Sequence, residues 1–169
     1  MKLSIKIFLL LIFVTQIINA QSSNSKAPNF KLEDINSKTI ELNELIGKGP
    51  VVICFWATWC KPCVDELNEY KKLYEEIDNK TITFVAVSID DERSMSKVEP
   101  SVKRNKLPFI TLFDSNKDVA RKFSVQSVPY TFVLDKDGKI VYNHSGYKKG
   151  DEIKIKEKLI ELLKLGNND

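Results

Sequence analysis

Residues 51–63 read VVICFWATWCKPC, and this stretch predicts a strand that continues directly into a helix. Its first six residues, 51–56, are apolar without alternation, which is typical of a strand buried on both faces in the middle of a parallel sheet. From Pro62 onward, apolar residues recur at helical spacing, and proline suits a first helical turn. A second β-branched apolar run follows at 81–89, so strand, crossover helix and parallel strand come in order. We therefore predict an α/β core.

Shorter elements are predicted on both sides of this core. Two strands, 27–32 and 39–42, precede it, and a helical segment at 94–105 follows it, in which Pro100 argues against one straight helix. The remaining predictions are a helical turn at 43–46, a strand at 109–113, a helix at 118–123, a hairpin of 130–134 and 139–142 around Gly138, and a closing helix marked by Ile155, Leu159, Leu162 and Leu163.

Residues 1–20 differ in kind from the rest of the chain. Lys2 and Lys6 precede an apolar run that fades toward Ala20, which is the layout of a secretory signal peptide. The run has about a dozen residues, whereas a membrane-spanning helix needs roughly 20. We therefore expect cleavage before Gln21 rather than a retained anchor, and no cysteine lies near that site to accept a lipid. The sequence predicts an exported, periplasmic protein with no stable membrane insertion after cleavage.

The composition excludes some classes of partner. Residues 1–20 hold two of the 26 basic residues and none of the 23 acidic ones, so the net charge falls from +3 to about +1 on cleavage. The lysines are interleaved with acids, which argues against nucleic acid as a partner. The roughly 150 remaining residues suit a single domain. We assign 21–26 to a polar leader and 27–166 to the domain, and expect a monomer.

The dithiol Cys60-Lys61-Pro62-Cys63 lies where the buried strand meets the helix. Cys60 is placed at the helix N-terminus, where free N–H groups and the helix dipole favour a thiolate, and Lys61 adds a cation nearby. Cys63, one turn further on, is expected to remain a thiol until it attacks a mixed disulfide on Cys60. Such a pair can exchange two electrons with another disulfide.

Two other uses of this pair stay open, and so does the role of the third cysteine. Zinc would need two further ligands, for which only Cys54 and His144 remain, and a purely structural disulfide is possible in an exported protein. Three cysteines cannot all pair internally. We interpret Cys54 as a core residue, with a third redox thiol as the alternative. His144 is given no role.

The stretch 55–63 closely resembles the active-site motif of the thioredoxin superfamily, in particular its exported TlpA-like and ResA-like branch. The segments 27–30, 47–50 and 127–132 fit the same pattern. The resemblance implies an α/β thioredoxin fold: a central mixed β-sheet flanked by helices, with an N-terminal β extension and a central insertion at about 90–108. It also implies a protein-disulfide reductase whose only redox group is the Cys60–Cys63 disulfide, without a further cofactor.

The resemblance also implies partners and alternatives. The substrates would be disulfide-bearing proteins, with apocytochrome c maturation as one use, and a membrane thiol–disulfide electron donor would restore the dithiol. A disulfide-forming oxidase, a thiol peroxidase and a non-enzymatic binding module are the rival hypotheses. Peroxiredoxins share the opening at 27–30, but their Pro-x-x-x-Thr-x-x-Cys pattern is absent around Cys60.

Further site residues follow from the same resemblance. Pro129 corresponds to the family's cis-proline beside the two cysteines, and Val128 would offer backbone groups to an extended substrate. Trp59 would flank the dithiol, and we expect the adjoining Lys61 and Pro62 to contact substrate as well.

Glu66 lies three residues after Cys63, so a helix places both on one face. Its carboxylate would tune the dithiol or relay a proton, the alternative being a solvated helix acid. Thioredoxin itself has a buried Asp in the strand, where this chain has Cys54, so proton transfer must use Glu66, water or another group.

Overall fold

The computed structural model describes residues 25–77 and 81–166. The predicted signal peptide and most of the polar leader fall outside these residues. Among the helices of the described segments, none combines the length and the apolar character that crossing a membrane requires.

A single mixed sheet organises the described chain. Its strand order is β2-β1-β5-β4-β3-β6-β7; β3, β4 and β5 run parallel, and every other neighbouring pair is antiparallel. This confirms the predicted thioredoxin fold, with the β1–β2 hairpin as its N-terminal β extension. The strands are β1 (Lys31–Asp34), β2 (Thr39–Glu41), β3 (Val51–Trp56), β4 (Thr83–Ser88), β5 (Ile110–Phe113), β6 (Tyr130–Leu134) and β7 (Ile140–Ser145).

Five α-helices in the described residues connect and cover these strands. A 3₁₀ turn at Met95–Lys97 leads into the third of them. The helices are α1 (Leu42–Leu45), α2 (Lys61–Glu76), α3 (Val98–Asn105), α4 (Asp118–Lys122) and α5 (Asp151–Gly166).

The central strand β3 presents different side chains to the two faces of the sheet, and all six of its residues are buried. Helices α2 and α5 contact each other, and Lys156 of α5 pairs with Glu76 of α2 at 2.5 Å. Cys54 of β3 faces α2, where it contacts a glutamate described below. Phe55, the next residue, points to the other face and packs its ring 5.5 Å from that of Phe123. The alternation of strand side chains thus gives β3 two separate environments.

The N-terminal strand prediction was wrong in its bounds. The ladder begins at Lys31, whereas residues 27–30 make only isolated contacts, such as the hydrogen bond from the Ala27 N–H to the Gly138 carbonyl at 2.9 Å. Pro28 has no N–H for a ladder. Phe30 is buried against Phe123, so the apolar pattern there reports core packing rather than strand pairing.

The segment 94–105 starts as the 3₁₀ turn and becomes helical only at Val98. Pro100 lies in the first turn of α3, where the N–H groups have no partner within the helix, so the missing donor costs little. The predicted hairpin is confirmed, with φ of +79° at Gly138, and β7 continues to Ser145, beyond the expected end.

Candidate active site

Cys60 and Cys63 lie at the junction of β3 and α2. Cys60 caps the N-terminus of α2, and its Sγ accepts a hydrogen bond from the Cys63 N–H at 3.3 Å. The two sulfurs form a disulfide with a Cα–Cα distance of 5.3 Å. Cys60 is 6% exposed and Cys63 is completely buried. The structure therefore brings the predicted pair together, with Cys60 as the sulfur that a partner can reach.

Lys61 and Pro62 occupy the first turn of α2. The Lys61 ammonium pairs with Asp65 at 2.8 Å, and its side chain is 85% exposed, so solvent and the carboxylate screen most of its charge. Pro62 removes no helix hydrogen bond in this turn. The electrostatic support for a Cys60 thiolate thus comes mainly from the N–H groups and dipole of the helix.

The loop that carries Trp59 is tied to the end of β4 by Asp90. This carboxylate is 1% exposed and accepts hydrogen bonds from the Thr58 N–H at 2.8 Å, the Thr58 hydroxyl at 2.6 Å and the Ser88 hydroxyl at 2.8 Å. No role was predicted for Asp90. Its position after a predicted parallel strand was an available signal, because the ends of neighbouring parallel strands meet at one edge of the sheet.

Glu66 is buried within a polar cluster that also contains Cys54, Tyr70, Thr131 and His144. Its Oε2 lies 3.2 Å from the Cys54 Sγ and 3.3 Å from the Thr131 hydroxyl. Its Oε1 lies 3.0 Å from the Tyr70 hydroxyl and 3.1 Å from the His144 Nε2. Glu66 is therefore not a solvated helix acid.

Strand register explains why these groups meet. Thr131 of β6 lies opposite both Cys54 of β3 and His144 of β7, so three neighbouring strands present their side chains at one level. Glu66 and Tyr70 are four residues apart on α2 and share the helix face above them. His144, for which no role was predicted, is the only one of the five whose side chain is partly exposed, at 14%.

The cluster keeps its thiol and its phenol protonated. Burial, and secondly the Glu66 carboxylate, raises the pKa of Cys54 well above its ordinary value. The same two causes, in the same order, raise the pKa of Tyr70. Cys54 thus lacks the thiolate character that a redox nucleophile needs.

Pro129 lies at the same edge of the sheet as the dithiol. The Val128–Pro129 peptide bond is cis, as the resemblance implied. One further step of the β3–β6 register places the buried Pro129 opposite Trp56, the last residue of β3. Among the described residues, the N–H and C=O of Val128 have no hydrogen-bond partner. Trp59 is 64% exposed next to Cys60.

Two further features of the described residues bear on the site. No group of three or more His, Cys, Asp or Glu residues there could hold a metal ion; Cys54 and His144 bond to Glu66 instead. A cavity of about 390 Å³ lies between the loop at 47–50 and the end of α5, at the opposite end of β3 from the dithiol. No cysteine or histidine lines it, so we do not count it as part of the site.

Comparisons with known proteins match most of the chain. The model of the AhpC/TSA family matches residues 23–143. The thiol-disulfide oxidoreductase ResA of Bacillus thuringiensis subsp. konkukian is 34% identical over 139 residues, which cover 82% of this chain and 75% of that protein. ResA of Halalkalibacterium halodurans is 33% identical over 142 residues, covering 84% of this chain and 77% of the relative.

Solved structures agree with this match. A thioredoxin-like protein from Porphyromonas gingivalis superposes with a TM-score of 0.71 at 39% identity, covering 85% of this chain and 96% of the other. StoA from Bacillus subtilis gives a TM-score of 0.63 at 24% identity, covering 78% and 97%, and supports the fold alone.

Proposed function

The chain belongs to the AhpC/TSA family and is a thiol-disulfide oxidoreductase, and we propose that it reduces protein disulfides outside the cytoplasm through Cys60 and Cys63. The observation that carries the proposal is the Cys60–Cys63 disulfide at the N-terminus of α2, with one sulfur accessible and the other buried. This asymmetry suits a division of labour between an attacking and a resolving thiol.

The reaction follows from that asymmetry. The Cys60 thiolate attacks one sulfur of a substrate disulfide, forms a mixed disulfide and releases the other substrate sulfur as a thiolate. Cys63 then attacks the Cys60 sulfur and releases the second substrate thiol. The substrate gains two electrons and two protons, and the enzyme is left as the Cys60–Cys63 disulfide. A membrane thiol–disulfide donor returns it to the dithiol.

Glu66 is the group we propose for moving the proton of Cys63. Cys63 must lose its proton to attack, yet it is completely buried, so bulk water has no direct access to it. Glu66 lies one turn further along the same face of α2. His144 contacts the Glu66 carboxylate and is partly exposed, so it provides the way to solvent.

Substrate binding is assigned to the surface around Cys60. The unpaired backbone groups of Val128 suit pairing with an extended substrate segment, with Pro129 beneath it. Trp59 offers an exposed aromatic surface beside the mixed disulfide, and Lys61 and Pro62 border it on the helix side.

Trapping of the mixed disulfide tests these roles. Cys63→Ser protein should accumulate a covalent complex with a disulfide substrate, which reductant releases, whereas Cys60→Ser protein should form none. Cys54→Ser is the matched control and should turn over normally, because its thiol is buried and protonated. Accumulation of the complex on Cys54 or on Cys63 would contradict the assignment.

The reduction potential tests the direction of electron flow. We expect the Cys60–Cys63 couple of Cys54→Ser protein, equilibrated in defined redox buffers, to titrate below roughly −220 mV. A value near −120 mV would instead indicate an oxidase that forms disulfides. A couple that does not titrate would contradict any redox function and leave the binding module.

A peroxidase is the less favoured enzyme. The positions that hold Pro and Thr in the peroxiredoxin pattern are occupied by Ile53 and Ala57, and both are buried in or next to β3. We expect no consumption of peroxide by the dithiol protein above that of free dithiol, measured under the conditions of the substrate assay.

Export and use in cytochrome c maturation complete the proposal. Export predicts that the protein isolated from its host begins at Gln21, which mass spectrometry of the intact chain would establish.

Haem attachment requires reduced cysteines, so loss of the gene should lower covalent c-type haem, and an added dithiol should restore it. Unchanged haem would leave reduction of other exported proteins as the function.

A further inference from the structure

A groove of about 360 Å³ lies between the active-site loop and the insertion, and we call it the insertion groove. We infer that it binds a carboxylate of the substrate protein, namely an Asp or Glu side chain within about three residues of the substrate cysteine. The inference rests on the proposed reductase function and adds a substrate preference to it. The lining residues used in the argument are Thr58, Trp59, Lys97, Pro100, Ser101 and Arg104.

The insertion groove carries positive charge that no carboxylate of its lining neutralises. Lys97 and Arg104 are exposed, and neither forms an ion pair with any residue of 25–77 or 81–166. Lys103 of the same helix differs, because it pairs with Glu99. The groove lining contains two cations and no carboxylate. An incoming anion would therefore meet cations that have no competing intramolecular partner.

The acids close to the groove already have donors. Asp90 is buried and accepts three hydrogen bonds from Thr58 and Ser88. Asp91 accepts a hydrogen bond from the Ser94 hydroxyl, which is the largest cause of its lowered pKa. The N–H groups of Ser94 and Arg93 also donate to it and lower the pKa further. Neither carboxylate forms an ion pair with Lys97 or Arg104.

Ser101 supplies an independent observation that points to a ligand. It is 3% exposed, and its hydroxyl has no hydrogen-bond partner within the described chain. A helical serine usually bonds the carbonyl four residues back or faces water, and Ser101 does neither. Buried hydroxyls without partners are rare, and because Ser101 belongs to the groove lining, we take its hydroxyl as the donor that a bound carboxylate would engage.

Helix geometry directs these groups to one place. Ser101 and Arg104 are three residues apart on one face of α3, and Lys97, the last residue of the 3₁₀ turn, is the N-cap residue of that helix. All three line the groove. Two cations thus flank one hydroxyl donor, an arrangement that suits the two oxygens of a carboxylate. A neutral or basic segment would leave the cations unpaired or repelled.

The opposite wall places the groove next to the reacting sulfur. Trp59 lines it, is 64% exposed and immediately precedes Cys60. Its indole can cover the aliphatic part of an acidic side chain, while the carboxylate reaches the cations. A substrate chain held by the mixed disulfide therefore passes the groove within a few residues of its cysteine.

The test compares two end-capped peptides, each holding its cysteine in a mixed disulfide with a coloured aromatic thiol. One peptide has Glu two residues from the cysteine and the other has Gln there. Attack of Cys60 on the peptide sulfur releases the coloured thiol, and Cys63 then displaces the peptide. We expect the dithiol protein to react about tenfold faster with the Glu peptide at low ionic strength.

Variants of the lining residues test whether the faster reaction of the Glu peptide depends on the insertion groove. In the double variant Lys97→Gln/Arg104→Gln, the ratio of the rates with the Glu and Gln peptides should fall to less than about twofold, and the Gln peptide should react no more slowly. The control is Lys103→Gln/Lys122→Gln, which removes the same charge elsewhere. In this control the ratio should stay near tenfold. Ser101→Ala should lower the ratio about threefold without lowering the urea midpoint, because it removes an unpaired hydroxyl. Loss of stability with an unchanged ratio would indicate a structural role.

Two outcomes would overturn the inference in different ways. Equal rates for the two peptides, or an unchanged ratio in Lys97→Gln/Arg104→Gln, would overturn the carboxylate site and leave the reductase intact. Failure of both peptides to react with the unsubstituted dithiol protein would overturn the reductase proposal, and the site with it.

Discussion

The Glu66 carboxylate accepts hydrogen bonds on both oxygens although no part of it is exposed. Its four neighbours are a thiol, two hydroxyls and an imidazole, and an ionised carboxylate has about four acceptor positions for them. All four neighbours can donate to the carboxylate when the His144 Nε2 carries a hydrogen. A buried charge is tolerated when every position is occupied in this way. The cluster therefore holds Glu66 in one orientation on the face of α2 that also carries Cys63.

Replacing Glu66 by glutamine should destabilise the protein by about 1–3 kcal/mol. The amide nitrogen must take the place of one oxygen, where it would face a donor instead of accepting from it. Urea unfolding of the disulfide form measures the change. Glu69→Gln is the control on the same helix, because Glu69 is partly exposed and pairs with Lys72 at the surface, and it should cost less than about 1 kcal/mol. Equal costs for the two variants would contradict the cluster.

The sequence predicted the motif residues of this site but not the groups around them. Cys60, Cys63 and Glu66 could be assigned because their relations are local, within two turns of one helix. Tyr70 is just as local, because it follows Glu66 by four residues on α2, but it was not assigned. Thr131 and His144 could not be assigned, because their approach to Glu66 depends on the registers of β3, β6 and β7, which pair residues far apart in the chain. The contact of Asp90 with Thr58 joins residues 32 positions apart, and the only signal for it was the place of Asp90 after a predicted parallel strand.

At the scale of elements, the active-site loop depends on a contact between the end of β3 and the end of β4. Thr58 donates both its N–H and its hydroxyl to the buried Asp90. Within the loop between Trp56 and Cys60, the Cys60 N–H also bonds the Ala57 carbonyl, and the Ala57 side chain is buried in the core. Asp90 therefore fixes the loop that presents Trp59 and Cys60.

Thr58→Val should lower the free energy of unfolding by about 1–2 kcal/mol, because it removes one donor from a buried carboxylate and keeps the side-chain shape. Thr58→Ser retains the hydroxyl and should cost clearly less. The rate of mixed-disulfide formation should fall in Thr58→Val and remain near that of the unsubstituted protein in Thr58→Ser. The same loss in both variants would indicate that the Thr58 methyl group, rather than the hydrogen bond, matters.

The close approach of two strands at Gly49 provides a second test at this scale. Gly49 has φ of +152°, and a Cβ atom there would lie 1.9 Å from the Thr81 carbonyl oxygen. Gly47, at φ of +95°, has open space around the same position. Gly47→Ala should cost about 1–2 kcal/mol from backbone strain alone. Gly49→Ala should cost at least about 2 kcal/mol more, since the starts of β3 and β4 must separate. Equal urea midpoints would contradict this packing.

The type of an element could be predicted where its residue pattern is local. The bounds of a strand could not be predicted where residues are buried without pairing to a neighbouring strand. The run at 51–56 and the spacing in α2 identified β3 and its helix because both elements bury a regular face. Phe30 misled the prediction of β1, because its burial comes from an aromatic contact with Phe123. The position of Pro100 relative to the start of α3 became clear only from the backbone.

On the scale of the whole molecule, one face of the sheet buries two weak acids that stay protonated, the Cys54 thiol and the Tyr70 phenol. Cys54 and Tyr70 are both almost completely buried, and burial followed by the Glu66 charge raises the pKa of each well above its ordinary value. In the unfolded chain both groups would return to ordinary values, 9.0 for the thiol and 10.0 for the phenol. Folding is therefore linked to pH on the alkaline side.

The sign of that linkage gives a test on the disulfide form, in which Cys60 and Cys63 do not titrate. Well below pH 9.0 the Cys54 thiol is protonated in both states and contributes no slope. Above that value the unfolded state loses the proton and the folded state keeps it, so stability falls by about 1.4 kcal/mol per pH unit. The free energies of unfolding of the unsubstituted protein and of Cys54→Ala, measured in urea, should therefore differ by a constant amount below about pH 8 and converge above about pH 9, approaching that slope as pH rises further. Parallel curves up to about pH 10 would mean that the thiol ionises in the folded protein as readily as in the unfolded chain.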